Sequence, residues 1–244
     1  MISHNNPAID LPVGPEVDPS AARLPPRLTM EGRYISLATL DAKVHGESLW
    51  ENLRGPENEK LWLYLLDGPF RDRAAFDADV QQKALSHDPQ YFAILDQVSR
   101  RAVGYAAYLR MEPKHRCIEV GAILFSPALQ RTRGATEAMY LMARHVFEDL
   151  VYRRYEWKCN ALNEPSLRAA LRLGFTFEGI FRQHMIIKGR NRDTAWFSML
   201  DSEWPARKAA FEHWLEPANF DLQGRQKESL SVLNSQSVSR SGPS

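Results

Sequence analysis

Cysteine is scarce in this chain: two in 244 residues, Cys117 and Cys159, far apart and without partner spacing. That excludes a zinc knuckle or a redox pair, fits a reducing compartment, and leaves both thiols as small buried hydrophobes. Net charge is nearly missing as well. Thirty-one basic against thirty acidic side chains give +1, so no global field draws the chain to nucleic acid or to an anionic membrane. The seven histidines show no metal-ligand spacing, so no metal is expected. No apolar run is long enough to cross a bilayer, and the first residues lack the basic start and apolar stretch of a signal peptide, which makes the cytoplasm the expected location. Internal repeats are also missing.

What is present divides by composition. Residues 1–26 are rich in proline and show no period, and read as an extended N-terminal arm. Residues 27–205 carry alternating structure signals and read as one domain. Residues 206–244 are a C-terminal extension whose polar, serine-rich end, from Asn219 on, reads as disordered. Within the domain, Gly32 to Leu40 predicts a strand, Asp41 a cap for a helix over Lys43 to Leu53, and Arg73 to Ser86 a second helix, with the aromatic loop "LWLYLLDGPF" between them. "YFAILD", "AVGYAAYLRM" and "CIEVGAILF" predict a three-strand meander. "TEAMYLMARHVFEDLV" changes to a helical period, "YEWKCN" returns to strand, "EPSLRAALRLG" is a short helix, and two further runs form a closing hairpin. The fold class is mixed α/β (α+β), mostly antiparallel at first, with a strand–helix–strand unit later.

The stretch "LQRTRGAT" lies between a strand and that long helix. A helix start there aims unpaired backbone N–H groups and the positive end of the dipole at one point, which suits a phosphate. Gly134 permits close approach, Thr132 and Thr136 add hydroxyls, and Arg131 and Arg133 add charge. No Gly-Lys-Ser/Thr ending follows, so this is not a nucleotide-hydrolase loop. The competing reading is a solvated basic turn with a threonine cap.

The order "IEVG", "SPALQRTRGAT", helix, "EWKCN", "NEPSLRAALRLGFTFEGIFRQ" resembles the GCN5-related N-acetyltransferase (GNAT) superfamily over about Leu28 to Pro205, and within it the branch of ribosomal-protein alanine and serine N-acetyltransferases. Its strongest element is "ALNEPSLRAALRLGFTFEG". One departure is Thr136, where the superfamily's loop ends in glycine or alanine. The resemblance implies a central, mostly antiparallel sheet of about seven strands flanked by helices and splayed between the fourth and fifth. It implies acetyl-CoA as co-substrate, held along Gln130, Arg131, Thr132, Arg133, Gly134, Ala135 and Thr136, with its pantetheine in the splay.

That chemistry needs a neutral amine, a polarised thioester and a proton for the departing thiolate. Glu119 is the candidate base, with a solvent-facing strand residue as its other reading. Ser166 is the candidate acid and Asn163 the pantetheine contact, both able to serve instead as helix caps. The backbone N–H groups of Ile123 or Phe125 are candidate donors to the thioester oxygen. Trp62, Tyr64 and Phe70, with His184 opposite, are candidate acceptor walls, core packing being the alternative for the aromatics and a solvated edge for Arg182, His184 and Arg192. The function this implies is acetyl transfer to a primary amine by direct attack in a ternary complex, a peptide N-terminus being favoured by the resemblance to the ribosomal-protein enzymes; the reference pKa of an α-amine points to a weakly basic nitrogen without separating a peptide N-terminus from a free amino acid. A small-molecule amine and a non-catalytic acyl-CoA module are the alternatives. Pairing of hairpin edges allows a homodimer, and neither nucleic acid nor membrane is an expected partner.

Overall fold

A computed structural model describes residues 4–6 and 11–239, with side chains over 11–236. A small antiparallel pair, β1 (His4–Asn6) and β2 (Leu11–Val13), stands outside one eight-stranded sheet. The sheet comprises β3 (Thr29–Glu31), β4 (Ile35–Thr39), β5 (Gln90–Asp96), β6 (Ala102–Glu112), β7 (Cys117–Phe125), β8 (Arg154–Asn160), β9 (Thr176–Ile187) and β10 (Arg190–Leu200), ordered β3-β4-β5-β6-β7-β8-β10-β9. Every neighbouring pair is antiparallel except β7 and β8. Eight strands replace about seven because Thr29–Glu31 adds an edge strand ahead of β4; without it the parallel pair is the fourth and fifth.

Each side of the sheet carries its own core. Helices α1 (Ala42–Leu53) and α2 (Arg73–Leu85) cover one side, packing Leu49, Trp62, Phe76 and Tyr105. Both start where the sequence predicts, because Asp41 caps the N–H groups of Lys43 and Val44 and Asp72 caps that of Ala75. Helices α3 (Arg133–Arg144), α4 (Glu164–Arg172) and α5 (Trp204–Leu215) share the larger core with Tyr155, Phe175 and Phe197. The helical run predicted to Val151 ends sooner as α-helix. A wider turn over His145–Asp149 follows α3, closed by Leu150 N–H on the His145 carbonyl, and leaves Asp149 mostly in solvent.

The disordered reading of the chain from Asn219 is corrected over the described residues. A last helix, α6 (Leu230–Ser239), buries Leu230 and Leu233 in the larger core. Its polar composition is absorbed by specific bonds: Arg207 donates to the Asn234 carbonyl at 2.9 Å, and Asn234 donates to the Arg172 carbonyl at 2.9 Å. The last five residues of that stretch lie outside the described residues. Of the arm, Ala22 and Arg23 are pinned by backbone bonds to Pro113 and Leu150, both 3.0 Å.

Candidate functional site

The parallel pairing of β7 and β8 runs from Cys117 opposite Arg154 to Val120 opposite Trp157 and then stops, although β7 continues to Phe125 and β8 to Asn160. The cause is local. Between Gly121 and Leu124 β7 holds one residue more than β6 opposite it, and Ala122 takes φ +47°. This bulge turns the strand away from its parallel neighbour. Two strands diverging at their carboxyl ends, each followed by a helix, make a wedge-shaped gap of the kind where α/β sheets bind ligands. Ile123 and Phe125, both half-buried, lie on its β7 side.

At the far end of β7 the loop rises to α3. Thr132 is the cap of α3: its hydroxyl accepts from Ala135 N–H at 3.1 Å and donates to the Leu129 carbonyl at 2.7 Å. It is therefore spent on the fold, not free for a phosphate. Gln130 turns its amide back to the Phe125 carbonyl at 3.0 Å. Arg133 is stacked on Phe220 at 4.0 Å and on Tyr34 at 5.5 Å, which removes it from the place expected for it. Thr136 is buried and accepts from Arg172 at 3.1 Å, behind the loop. A Cβ on Gly134 would lie 2.7 Å from Ile35 Cγ2, so packing against β4 already requires glycine there. Ala135 is half-buried beside it. Among the described residues, the N–H groups of Arg131, Arg133 and Gly134 have no acceptor, and neither does the exposed Arg131 guanidinium. Backbone N–H groups and one arginine, rather than the whole string of side chains, are what this loop leaves free for an anion.

Across the gap, Asn163 caps α4 by accepting from Ser166 N–H at 3.3 Å, the structural role weighed for it. Ser166 is held from behind. The indole N–H of Trp157, on β8, donates to Ser166 Oγ at 3.0 Å, which fills an acceptor position and leaves the hydroxyl hydrogen to point elsewhere. Cys159, on the same side and within hydrogen-bonding reach of Ser166, is kept a neutral thiol because burial pushes it up. Arg168 faces outward to Glu164 at 2.9 Å.

On the opposite face of β8 the chemistry is ionic. Glu119 is 3% exposed, not solvent-facing, and bonds Arg110 at 2.7 Å and Lys158 at 2.9 Å. Lys158, 5% exposed, also bonds Glu156 at 2.7 Å and sits 3.9 Å from the Trp196 ring. Glu119 is thus held by two cations, and the role expected of it as base, directly or through water, requires one of these pairs to open. The sequence reading missed Trp157 and Lys158. The alternation Glu156, Trp157, Lys158, Cys159 within "YEWKCN" was the available signal, since a strand of that pattern sends one charged pair and one neutral pair to opposite faces.

The expected acceptor walls separate in the same way. Trp62 is 2% exposed and packs edge-on to Phe70, which also meets Phe76; both belong to the core under α1 and α2. Tyr64 alone of the three reaches the turn after β8, its hydroxyl donating to the Leu162 carbonyl at 3.1 Å. Lys188, at the hairpin tip, donates to the carbonyls of Trp62 and Asp67 at 2.9 and 2.7 Å and ties the hairpin to the aromatic loop. His184 is exposed and shares a hydrogen bond of 2.9 Å with Thr194.

Residues 56–176 match the acetyltransferase (GNAT) domain family. A GCN5-related N-acetyltransferase from Brucella melitensis is similar in structure, with 45% identity and a TM-score of 0.87 over 88% of this chain and 98% of that one. A structure assigned to a ribosomal-protein-serine acetyltransferase from Vibrio cholerae is 20% identical, with a TM-score of 0.62 over 72% of this chain and 98% of that one. The microcin C7 self-immunity acetyltransferase, solved with acetyl-CoA and AMP, is 18% identical, with a TM-score of 0.61 over 69% and 93%. The last two share the fold. No curated protein matches the chain.

Proposed function

We propose, because this chain belongs to the GNAT acetyltransferase family, that it transfers the acetyl group of acetyl-CoA to a primary amine by direct attack in a ternary complex, the amine being the N-terminus of a protein or peptide. The observation that carries this is the gap between β7 and β8 with Ser166 hydrogen-bonded by Trp157 at its α4 side. Acetyl-CoA fits the donor set: the free N–H groups of Arg131, Arg133 and Gly134, with the Arg131 side chain, suit a pyrophosphate at the start of α3. It supplies a thioester whose carbon the amine attacks and whose sulfur leaves as a thiolate. The gap-lining backbone of β7, at Ile123 and Phe125, orients and polarises the carbonyl. Ser166 delivers its proton to the sulfur and is restored by the proton that the attacking nitrogen sheds, its oxygen lone pair already engaged by Trp157.

The acceptor class follows from what the site does not offer freely. Glu119 is enclosed by Arg110 and Lys158, so a nucleophile that arrives partly neutral is favoured. An α-amine, with a reference pKa of about 8, meets that need better than a lysine side chain near 10.4. The shared fold of the Vibrio cholerae ribosomal-protein-serine acetyltransferase agrees with an N-terminal amine and with the ribosomal-protein branch. The two free cysteines agree with a cytoplasmic setting. The outer strand β9 exposes Phe177, Ile180 and Ile186, and we assign a homodimer to pairing along this edge; a monomer mass by light scattering would refute it.

Calorimetric titration with acetyl-CoA, followed by thiol release over peptides and small amines, tests the function. Tight binding with turnover on N-terminal peptides is expected. Binding without turnover on any amine would refute the catalytic reading, and turnover confined to non-peptide amines would refute the acceptor class.

A further inference from the structure

The ionic face beside the gap holds more positive charge than it neutralises. Arg110, Lys158 and Arg154 are shared among Glu119, Glu156 and Glu178, through bonds of 2.5 to 2.9 Å. That is three cations against three carboxylates. A fourth cation, Arg192, stands on β10 with no carboxylate within ion-pair distance among the described residues, although Cys159, Glu119 and Arg110 are close enough to act on its charge. It is partly buried, and burial pushes its pKa down, so the protein carries the cost of this charge without a counter-ion of its own.

The way Arg192 is held adds the direction. Its Nε donates to Thr194 Oγ1 at 3.2 Å, and Thr194 is 1% exposed and bonded on to His184. One edge of the guanidinium is anchored to the sheet, and the other edge, with two terminal nitrogens, is free to meet a planar anion in a two-point fork. Arg192 lies where β10 runs past the end of β8, one residue beyond Ala161, whose N–H bonds the Asp193 carbonyl at 2.8 Å. That end of β8 is the one whose other edge borders the gap. On the same face of β10 the indole N–H of Trp196 is buried with no acceptor, a second donor unsatisfied in the protein alone.

We propose that Arg192 binds a carboxylate carried by the acceptor close to its reacting amine, and so selects acidic amines. The proposal rests on the acetyltransferase reading above. Two sources share this chemistry: the α-carboxylate of a free amino acid, and the side chain of Asp or Glu next to the N-terminal residue of a peptide.

The test compares matched acceptors: alanine with alaninamide, and Ser-Glu with Ser-Gln amino termini of otherwise identical peptides. In the wild-type protein kcat/KM is expected to favour the carboxylate member of one pair by about 30-fold, the value of one charge-assisted hydrogen-bonded pair. The pair that shows the preference names the source. In Arg192→Gln the ratio is expected to fall to about 3-fold or less, with acetyl-CoA affinity measured alongside to confirm a folded protein. Equal kcat/KM within both pairs, or an unchanged ratio in Arg192→Gln, overturns the proposal. Absence of turnover on every acceptor would remove the acetyltransferase reading but leave this one open to a direct measurement. Titration of the CoA complex with N-acetylalanine and N-acetylalaninamide then decides: Arg192-dependent preference for the acid sustains the anion site, and equal binding overturns it.

Discussion

The two faces of β8 meet the same gap with opposite means. On the α4 face, Trp157 and Cys159 offer neutral dipoles around Ser166; on the other, Glu156 and Lys158 join an ion network with Glu119 and Arg154. On the proposed reading, the leaving thiolate needs one proton placed correctly and little net charge, a task suited to neutral hydrogen bonds, and the approaching acceptor is oriented by fixed charges that act at longer range. One strand's alternation is enough to keep the two tasks apart.

The sharpest way to break the comparison is to remove the charge that holds the ionic face. Lys158→Met leaves Glu119 and Glu156 buried with one cation fewer each, and we expect a loss of about 3–5 kcal/mol in denaturant unfolding. Loss below about 1 kcal/mol would mean that the network is not a structural unit. On the neutral face the effect belongs to rate. Ser166→Ala is expected to lower kcat about 100-fold, close to 2.7 kcal/mol, with acetyl-CoA affinity kept; equal losses in both would make Ser166 a binding residue. Trp157→Phe keeps the ring and deletes the N–H, so kcat should fall about 10-fold while KM for acetyl-CoA stays near wild type. No change in kcat would show that Ser166 needs no such orientation. The smallest effect is on pH. Burial raises the Glu156 carboxyl, but its bonds to Lys158 and Arg154 outweigh that and hold it below its ordinary value of 4.5. A depressed carboxylate stabilises the fold above pH 4.5 and loses that contribution as pH falls through its lower folded value. Glu156→Gln should therefore flatten the acid side of the stability profile, and an unchanged acid slope would contradict the pairing.

Much of the framework could be read from residues alone, because local chemistry decides it. Asp41 announces a helix start by capping, and Gly174, at φ +95°, marks the end of α4. The site was less legible. "RTRGAT" has the composition of a phosphate loop, but Thr132 is consumed as a cap and Arg133 by two rings that lie 99 and 87 positions away in the chain (Tyr34 at 133 − 34, Phe220 at 220 − 133). Side-chain direction after a turn depends on such distant partners, which no window of sequence contains. Trp62 shows the same limit: an aromatic loop beside a cleft and an aromatic loop beneath a helix pair have one composition and two environments. The stretch after Asn219 misled through polarity, since a few of its apolar residues, Phe220, Leu230 and Leu233, are the ones that dock.

The stacking of Phe220 on Arg133 and of Trp214 on Arg172, at 4.0 and 4.8 Å, sets an order in time as well as in space. As a ribosome delivers this chain from its amino end, β7, the loop and α3 emerge long before the rings that brace them. The nascent protein can lay down most of its sheet and still hold an unfinished cradle. Competence to bind would arrive late in synthesis, with the segment whose composition looks least like part of an enzyme.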